Sequence, residues 1–454
     1  MNTRRDFLLR SGALTAGALA SRLAPLGALG LSAAAHAQAA GDYKALVCVF
    51  LYGGVDGNNL VVPMDSAGYA QYVAVRTIAS GVNLTQAELL EIQPANVGTP
   101  YGLHPNLSDL HPLFAQGNLA ILANVGPLNE PTTKANYFTK RPDNLFSHSD
   151  QQNQWQSSVS SGPSRSGWGG RVGDQMAAQS PAFPVVTSIA GSSLFIAGNA
   201  ASPLALPQTG GLALQGFNNT AAANARLASM QAILAADRDN AYVRAAGDIT
   251  SQALSLSGVV NPILASGTST IQPHFAGQTN AIAQQLLQVA KLIEARAQTG
   301  ARRQVFFVSL GGFDTHNNEL NVLATLLGQL SPALRAFYDA TVQLGVANQV
   351  TTFTLSDFGR TFQPASGAGT DHAWGNHHFI LGGAVRGGQM FGRYPTLART
   401  GPDDADTAGR WIPSTSVEQY GATLARWLGV SEAGLAAVFP NLALFSPNDL
   451  GFLT

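Results

Sequence analysis

Five runs of apolar residues constrain the fold of this chain more than any other feature of its sequence. Each run is long enough for one strand, and most are followed by a loop rich in Gly, Asp or Ser. Continuous apolar strands are typical of a mostly parallel sheet with both faces buried, since a half-exposed strand would alternate apolar and polar residues. We therefore predict an α/β fold with a doubly wound, mostly parallel sheet flanked by helices. The runs are Lys44–Tyr52, Asn118–Val125, Gln304–Leu310, Gln349–Leu355 and His378–Gly382.

The segment from residue 210 to residue 300 has a different composition, rich in Ala, Gln, Asn and Ser. Within it, Ala221–Ala246 favours helix, and apolar residues recur at helical spacing after Thr279, which can cap a helix. Gly300 stands where a glycine commonly ends a helix. We predict that residues 210–300 form a helical insertion or cap on a single α/β domain spanning residues 38–454.

The N-terminus has the pattern of an export signal. Arg4 and Arg5 precede a Phe-Leu step, a run rich in Ala, Gly and Leu follows, and Ala-His-Ala at 35–37 fits a small-x-small cleavage site. This pattern predicts a signal peptide at residues 1–37 that engages the twin-arginine export machinery. An N-terminal membrane helix is the alternative, but glycines and a proline interrupt the run, so we expect no stable transmembrane anchor. The mature protein is then expected in the periplasm or outside a bacterial cell.

Charge and cysteine content exclude some classes of function. Charged residues make up 11% of the chain, against about 25% in typical domains. Loss of residues 1–37 would remove four arginines and one aspartate and change the formal net charge from −1 to −4. The mature chain therefore offers no basic surface of the kind that binds nucleic acid. Cys48 is the single cysteine, so no intrachain disulfide can form, and we expect it to be a buried apolar side chain.

Polar and acidic residues follow four of the apolar runs. Asp56 stands in a loop rich in Gly and Asn after the first run, and the second run leads to Ser-His-Ser-Asp at residues 147–150. Asp314 and His316 follow the third run, and Asp357 follows the fourth. In α/β sheets, ligands gather beyond the carboxyl ends of the strands, so three strand ends are predicted to bring an aspartate to one edge.

A histidine-rich segment follows the fourth apolar run. Three of the nine histidines of the chain, His372, His377 and His378, lie within seven positions. Carboxylates supply hard oxygen ligands and imidazoles supply nitrogen ligands, so this segment and the strand-end aspartates together predict a divalent metal site. Mixed Asp and His ligation favours Zn or Mn and leaves Ca or Fe open. Each motif alone also fits a structural role, because a strand-end Asp often caps the next helix.

Several short motifs occur in the order of a known exported family. They are Gly-Gly-x-Asp-Gly-x-Asn at 53–59, Ser-His at 147–148, Gly-Trp-x-Gly-Arg at 167–171, Gly-Gly-Phe-Asp-Thr-His at 311–316, Ser-Asp-Phe-Gly-Arg-Thr at 356–361 and Gly-Thr-Asp-His at 369–372. With this order over residues 42–442, the chain resembles the exported family catalogued as domain of unknown function 1501. That family is similar to the alkaline phosphatase and sulfatase superfamily. The resemblance implies an alkaline-phosphatase-like sheet with metal-binding Asp and His on strand-end loops.

The resemblance also implies roles for individual residues. Ser147, before a helix, matches the general position of the nucleophilic Ser or Thr of the superfamily. Phe358 departs from the pattern, because a two-zinc phosphatase has His directly after the preceding aspartate, so one of two metal positions is in doubt. We therefore expect one or two divalent ions. The residues that match the metal ligands of the superfamily are Asp56, Asp314, His316, Asp357, and His372 or His377.

A site of this kind would hydrolyse phosphate or sulfate esters. A divalent cation beside Ser147 would lower the pKa of its hydroxyl and stabilise developing charge. Arg171 and Arg360 are candidates for binding an oxyanion as bidentate donors, with a structural ion pair as the alternative for each. Ser147 also fits a helix N-cap. The chain contains no Cys-x-x-x-x-x-Arg element of the formylglycine type, which argues against a type I sulfatase.

A second hypothesis comes from a different functional class. The chain could be a non-catalytic exported factor that keeps the fold while assisting a secreted partner or the cell envelope. Phe358 and the alternative role of Ser147 favour this hypothesis. The Asp and His constellation favours the enzyme, whose substrate would be a small anionic ester.

Overall fold

The computed structural model describes residues 42–212, 220–236 and 239–454. The predicted signal peptide at residues 1–37 lies outside the described residues. The chain divides into two units, Met1–Tyr43 and Lys44–Thr454, and the second unit contains the sheet and its helices. No helix among the described residues is both long enough and apolar enough to cross a membrane.

The predicted apolar runs form the long strands of the sheet, with ends within two residues of the predicted ones. Shorter strands fill the edges of this sheet or form a second, small one. The strands are β1 (Lys44–Tyr52), β2 (Val61–Pro63), β3 (Leu90–Ile92), β4 (Tyr101–Leu103), β5 (Leu119–Gly126), β6 (Val186–Ser188), β7 (Leu204–Ala205), β8 (Arg303–Gly311), β9 (Val350–Ser356), β10 (Asn376–Leu381), β11 (Met390–Gly392) and β12 (Thr415–Ser416).

Helices fill most of the connections between these strands. They are α1 (Gly57–Leu60), α2 (Ser66–Val75), α3 (His111–Ala115), α4 (Tyr137–Lys140), α5 (His148–Ser157), α6 (Trp168–Met176), α7 (Ala221–Leu234), α8 (Ala241–Ala265), α9 (Ala281–Glu294), α10 (Arg296–Thr299), α11 (Glu319–Gln343), α12 (Val417–Leu428) and α13 (Glu432–Val438).

The large sheet has the strand order β11-β5-β10-β9-β1-β8-β6-β7, and β12 pairs with β5. β1 lies in the middle and runs parallel to both β8 and β9. Within this sheet, as far as the chain is described, only β10 runs antiparallel to its neighbours. Strands β2, β4 and β3 form a separate antiparallel sheet. The predicted fold class, a mostly parallel sheet flanked by helices, is confirmed.

Both faces of the central strand are buried, as the continuous apolar sequence predicts. Leu46, Cys48 and Phe50 belong to a core cluster that includes side chains of α6, α12 and α13. The alternate residues Val47 and Val49, whose side chains point to the opposite face, are equally buried. Burial raises the pKa of the Cys48 thiol, in keeping with its predicted role as an apolar side chain.

The segment from residue 210 to residue 300 is largely helical where it is described. The helix predicted to begin after Thr279 is α9, but Asn280 is its N-cap, because the Asn280 side chain accepts a hydrogen bond from the Ala283 N–H at 3.0 Å. Gly300 ends α10 in the left-handed conformation, with φ of 67°. α9 packs against both β8 and α11, so this part of the segment contributes to the helical layer of the sheet.

Glycines let the loops at the carboxyl ends of the central strands come close together. Gly53 and Gly54 follow β1 with φ of 114° and 84°. A Cβ atom at Gly53 would overlap the backbone at Asp314, and one at Gly54 would overlap the ring of Phe358. A side chain at either position would therefore push apart the loops that follow β1, β8 and β9.

Candidate metal centre

Two loops and the start of α5 bring histidine and aspartate side chains together at the carboxyl ends of β8 and β9. Asp314 and His316 come from the loop after β8, and Asp357 comes directly after β9. His148 is the first residue of α5, and His372 lies in the loop before β10. The fold therefore collects residues that are up to 224 positions apart in the sequence.

Asp314 is the centre of this cluster. Its Oδ1 lies 2.9 Å from His316 Nε2 and 3.2 Å from His372 Nε2, and it accepts a hydrogen bond from Arg360 Nη1 at 2.9 Å. Its Oδ2 lies 3.4 Å from His148 Nε2. The Asp314 side chain is 44% exposed, so the cluster is open to solvent. A small ligand can therefore reach these atoms without a change of fold.

Each of the three imidazoles has an acceptor near Nδ1. His148 Nδ1 lies 2.7 Å from Asp357 Oδ2, and His372 Nδ1 lies 2.7 Å from the Phe146 carbonyl oxygen. His316 Nδ1 lies 3.3 Å from an oxygen of Asp371. An acceptor at Nδ1 favours the tautomer with its proton there, which leaves Nε2 free as a ligand. All three Nε2 atoms face Asp314.

The backbone before α5 is adapted to this arrangement. Phe146 has φ of 74°, a conformation that costs a non-glycine residue about 1 kcal/mol or more. Its N–H donates to Gln151 Oε1 at 2.5 Å, and its carbonyl faces His372. The strained turn is thus held from both sides, and it places the acceptor of His372 two residues before His148.

The electrostatic surroundings favour the protonation states that bind metals. Burial alone would raise the pKa of Asp314, but the hydrogen bond and charge of Arg360 outweigh it and hold that pKa below its ordinary value. Burial lowers the pKa of His372. Burial raises the pKa of Asp357, so that this carboxyl group, unlike that of Asp314, loses its proton less readily than an exposed one. Asp314 is therefore held as a carboxylate and His372 as a neutral imidazole, which are the ligand forms of these residues.

Asp357 has an unused oxygen at the base of the cluster. Its Oδ2 accepts a hydrogen bond from Gln152 Nε2 at 2.7 Å and faces His148. Its Oδ1 makes no hydrogen bond of good geometry among the described residues, although the side chain is fully buried and the Gly53 N–H lies near the carboxyl group. A buried oxygen without a partner is costly, so this position is suited to a cation or a water molecule.

The residues present fit a divalent metal ion. His148, Asp314 and His372 can each offer one ligand atom, with these atoms all within 4.8 Å of one another. His316 Nε2, 3.0 Å from His372 Nε2, is a fourth donor in reach. Three nitrogen donors and a carboxylate oxygen are the ligand types of Zn²⁺, and donors whose second nitrogen is held by an acceptor are typical of metal-binding histidines.

Phe358, where the phosphatase pattern has histidine, supports the cluster from below. Its ring is fully buried and lies stacked against His372, with centroids 4.5 Å apart. The same ring lies 4.8 Å from the ring of His148. Phe358 therefore offers no ligand atom, but it restricts the orientation of two imidazoles that do.

The structure does not bring Asp56 into the histidine cluster. Asp56 is the N-cap of α1 and forms an ion pair with Arg76, whose Nη1 contacts Oδ2 and whose Nη2 lies 3.0 Å from Oδ1. Both side chains are fully buried. Burial would raise the pKa of Asp56, but the charge of Arg76 holds it below its ordinary value. An internal guanidinium thus takes the position beside this carboxylate that a cation would need.

His377 and Arg171 also lie in structural surroundings. His377 is in β10, where its Nδ1 accepts from the Asn124 N–H at 3.0 Å and its ring stacks on Tyr394. Burial lowers the pKa of His377 to about 3. Arg171 is 7% exposed, and its guanidinium donates to backbone carbonyls, among them that of Val438 at 2.7 Å.

Ser147 stands between two residues that contact the cluster. It occupies the N-cap position of α5, but its side chain makes no capping hydrogen bond there. Its hydroxyl donates to Asp150 Oδ2 at 2.6 Å and lies 3.1 Å from the Ser149 hydroxyl. The simple N-cap alternative does not account for this side chain.

Arg360 has its donors engaged inside the protein. The residue is 1% exposed, and it donates to Thr370 and Asp314 and, at 3.4 Å, to the Gly53 carbonyl oxygen. The sequence predicted that Arg360 binds an oxyanion of the substrate. In the structure its guanidinium instead donates to other groups of the protein and orients the Asp314 carboxylate.

The sequence did not single out His148, Asp371 or Arg76. The Ser-His pair at residues 147–148 was the available sequence signal for His148, but the motif was interpreted through the Ser147 hydroxyl. Asp371 stands in the recognised Gly-Thr-Asp-His motif. The pairing of Arg76 with Asp56 has no local signal, because it depends on how α2 packs against the loop after β1.

Fold and site together define an α/β protein with a mostly parallel sheet and a His and Asp cluster at its strand ends. The chain belongs to the family described as protein of unknown function (DUF1501), whose model matches residues 43–408. No curated protein sequence gives a significant match to the chain.

Solved structures resemble the chain weakly. The lipoteichoic acid synthase LtaP from Listeria monocytogenes has a TM-score of 0.36 at 8% identity, covering 87% of this chain and 74% of that chain. Ps i-CgsB in complex with k-i-k-neocarrahexaose has a TM-score of 0.36 at 9% identity, with coverages of 90% and 77%. The PsFucS1 sulfatase from Pseudoalteromonas sp. has a TM-score of 0.31 at 10% identity, with coverages of 90% and 73%. At these TM-scores the likenesses carry no argument about the site.

Proposed function

We propose that this protein is an exported, metal-dependent hydrolase of phosphate or sulfate esters. The observation that carries the proposal is the convergence of three imidazole Nε2 atoms on Asp314. His148, Asp314 and His372 would hold the ion, with His316 as a further ligand. The cluster is open to solvent, and an acceptor at each Nδ1 fixes the orientation of each imidazole. Both properties support a metal site that a substrate can reach.

A bound divalent cation would supply Lewis acidity, polarising an ester oxygen and lowering the pKa of a nearby hydroxyl. The protein side chains around it have separate tasks. Asp357 and Phe358 hold His148, and Arg360 orients the Asp314 carboxylate. Ser147 remains the candidate nucleophile, because it is flanked by Phe146 and His148 and its hydroxyl is oriented by a carboxylate. Arg171 is assigned a structural role.

Steady-state hydrolysis tests this proposal. We expect the mature protein loaded with Zn²⁺ or Mn²⁺ to hydrolyse p-nitrophenyl phosphate or p-nitrophenyl sulfate, and EDTA to abolish turnover. Asp314→Asn should lose at least about 100-fold in kcat/KM, since it removes the charge at the centre of the cluster. Asp339→Asn, on the half-buried ion pair between Asp339 and Arg335 in α11, is the matched control and should keep full activity. Absence of turnover in the metal-loaded wild type on both esters would contradict the enzyme.

The second candidate function is a non-catalytic exported factor. Two observations favour it: Phe358 offers no ligand, and Arg76 neutralises the first strand-end aspartate. This candidate predicts no turnover in either the wild type or Asp314→Asn, and a lower thermal stability or less secretion of a partner in the variant. The hydrolysis assay and a thermal melt of the same two proteins therefore separate the two functions.

Export is proposed on the N-terminal sequence alone. The pair Arg4→Lys and Arg5→Lys should retain the full-length precursor inside the cell, since the twin-arginine pathway reads both arginines. Fractionation of cells expressing the wild type and this double variant measures the effect. Equal amounts of processed protein outside the cytoplasm in both would rule out this pathway.

A further inference from the structure

A buried chain of hydrogen bonds runs from the start of α11 to the centre of the cluster. The Thr370 hydroxyl donates to Glu319 Oε2 and accepts from Arg360 Nε at 3.1 Å. Arg360 Nη1 then donates to Asp314 Oδ1 at 2.9 Å. The side chains of Glu319, Thr370 and Arg360 therefore form a continuous chain of hydrogen bonds that ends at the Asp314 carboxylate.

This chain of bonds is closed to solvent. Glu319 and Thr370 are fully buried, and Arg360 is 1% exposed. The Arg360 guanidinium is fixed at a second point, because Nη2 donates to the Thr370 carbonyl oxygen. Buried polar groups that lose a partner pay a large desolvation penalty, so each member holds the next in one orientation.

Glu319 is itself held by three separate parts of the fold. Its N–H donates to the Ala368 carbonyl at 2.9 Å, and its Oε2 accepts from the Thr315 hydroxyl at 3.3 Å. Its Oε1 makes no hydrogen bond among the described residues and lies 3.9 Å from Nη1 of Arg76, the guanidinium that pairs with Asp56. The side chain thus joins the loop after β8, the loop before β10 and the buried Asp56–Arg76 pair.

We propose that Glu319 is a positioning residue of the metal centre, which acts through Thr370 and Arg360 to aim the Asp314 carboxylate at the three imidazoles. This inference rests on the metal centre of the proposed function. It assigns a role to a side chain in the first turn of a helix, outside the strand-end motifs. It also explains why Arg360 is enclosed, since its task is to orient Asp314.

The Thr370 hydroxyl is the link that can be removed most cleanly. Thr370→Val deletes the hydroxyl at nearly constant volume, and Thr370→Ser keeps it. We expect the Zn²⁺ affinity of the mature protein to fall about tenfold in Thr370→Val, as for other groups that orient metal ligands. Thr370→Ser should stay within about twofold of the wild type. Competition with a chromophoric chelator measures both affinities without any assay of turnover.

Glu319 is tested by the same measurement. Glu319→Gln keeps an oxygen that can accept from Thr370, so Zn²⁺ affinity should remain near that of the wild type. Glu319→Met removes the acceptor and should weaken Zn²⁺ binding about tenfold. Thr423→Val is the matched control, because Thr423 is a buried threonine of α12 whose hydroxyl donates to the Gln419 carbonyl at 2.8 Å. It should keep full Zn²⁺ affinity even if thermal stability falls.

The outcomes separate this inference from the proposed function. Wild-type Zn²⁺ affinity in a folded Thr370→Val protein overturns the positioning role of Glu319 and leaves the metal centre intact. If Glu319→Met does not fold, the comparison of Thr370→Val with Thr370→Ser tests the same chain of hydrogen bonds, because both substitutions change the side-chain volume little. A wild-type protein that binds no Zn²⁺ contradicts the metal centre itself.

Discussion

At the scale of single residues, the candidate site depends on how each imidazole is held from behind. Asp357, the Phe146 carbonyl and Asp371 lie at the Nδ1 atoms of His148, His372 and His316. Groups of this kind determine the tautomer and orientation of metal-binding histidines. The acceptors should therefore matter almost as much for metal affinity as the ligands do.

Asp357→Asn tests this expectation at the most buried acceptor. The substitution removes the charge beside the His148 Nδ1–H while keeping the size of the side chain. We expect Zn²⁺ affinity to fall by about 10- to 100-fold. Asp174→Asn is the control, since Asp174 accepts hydrogen bonds from the backbone N–H groups of residues 199–201, in another part of the fold. Unchanged affinity in Asp357→Asn would contradict the claim that the Asp357 carboxylate holds His148 for metal binding.

The sequence predicted part of this arrangement. Asp314, His316 and Asp357 were predicted to meet because they follow parallel strands, whose carboxyl ends share one edge. His148 was not predicted because it lies at the start of a helix and not after a strand, and the catalytic role was given to the neighbouring Ser147. Asp56 follows a strand in the same way, but its neighbour Arg76 reaches it only through tertiary packing.

At the scale of elements, the long strands were predictable because both faces of the sheet are buried. Lys44–Tyr52 matches β1 at both ends, since the apolar run stops where the glycines begin. The direction of β10 was not predictable, because an apolar run does not encode whether its neighbours are parallel. His377 was predicted to lie in the histidine-rich loop, but it lies inside β10.

The close approach of the loops after β1 and β9 gives a prediction at this scale. Gly54→Ala would place a Cβ against the buried ring of Phe358 and hold an alanine at φ of 84°. We expect a loss of roughly 3 kcal/mol in the free energy of unfolding, from backbone strain and overpacking together. Urea denaturation measures this loss.

Gly117→Ala is the matched control for Gly54→Ala. Gly117 has φ of 76°, but nothing described lies within 4 Å of the Cβ that alanine would add. Backbone strain alone should then cost about 1 kcal/mol. Equal losses in the two variants would mean that Phe358 moves freely, and that it does not brace His148 and His372.

At the scale of the whole molecule, stability is predicted to depend on pH through histidines buried as neutral groups. Burial lowers the pKa of His377 from its ordinary value of 6.5 to about 3. Between these values the unfolded chain binds the proton and the folded protein does not. The contribution of His377 is therefore complete above pH 6.5 and is lost as the pH falls toward 3.

His377→Gln should make unfolding less sensitive to acid. Between pH 7 and pH 5, the wild type should lose about 2 kcal/mol more than the variant in the free energy of unfolding. Urea denaturation of both proteins in EDTA measures this difference, because chelation removes any contribution from metal ligands. The same pH dependence in both proteins would contradict the buried, neutral state of His377.

The central claim is that one divalent ion is bound by the cluster around Asp314. The most direct test is elemental analysis by mass spectrometry of the mature protein, purified after native export without chelator, beside folded His372→Ala and His377→Ala variants. We predict about one equivalent of zinc or manganese in the wild type and in His377→Ala, and loss of the metal in His372→Ala. A folded wild type without stoichiometric metal, or full metal content in His372→Ala, would contradict the account.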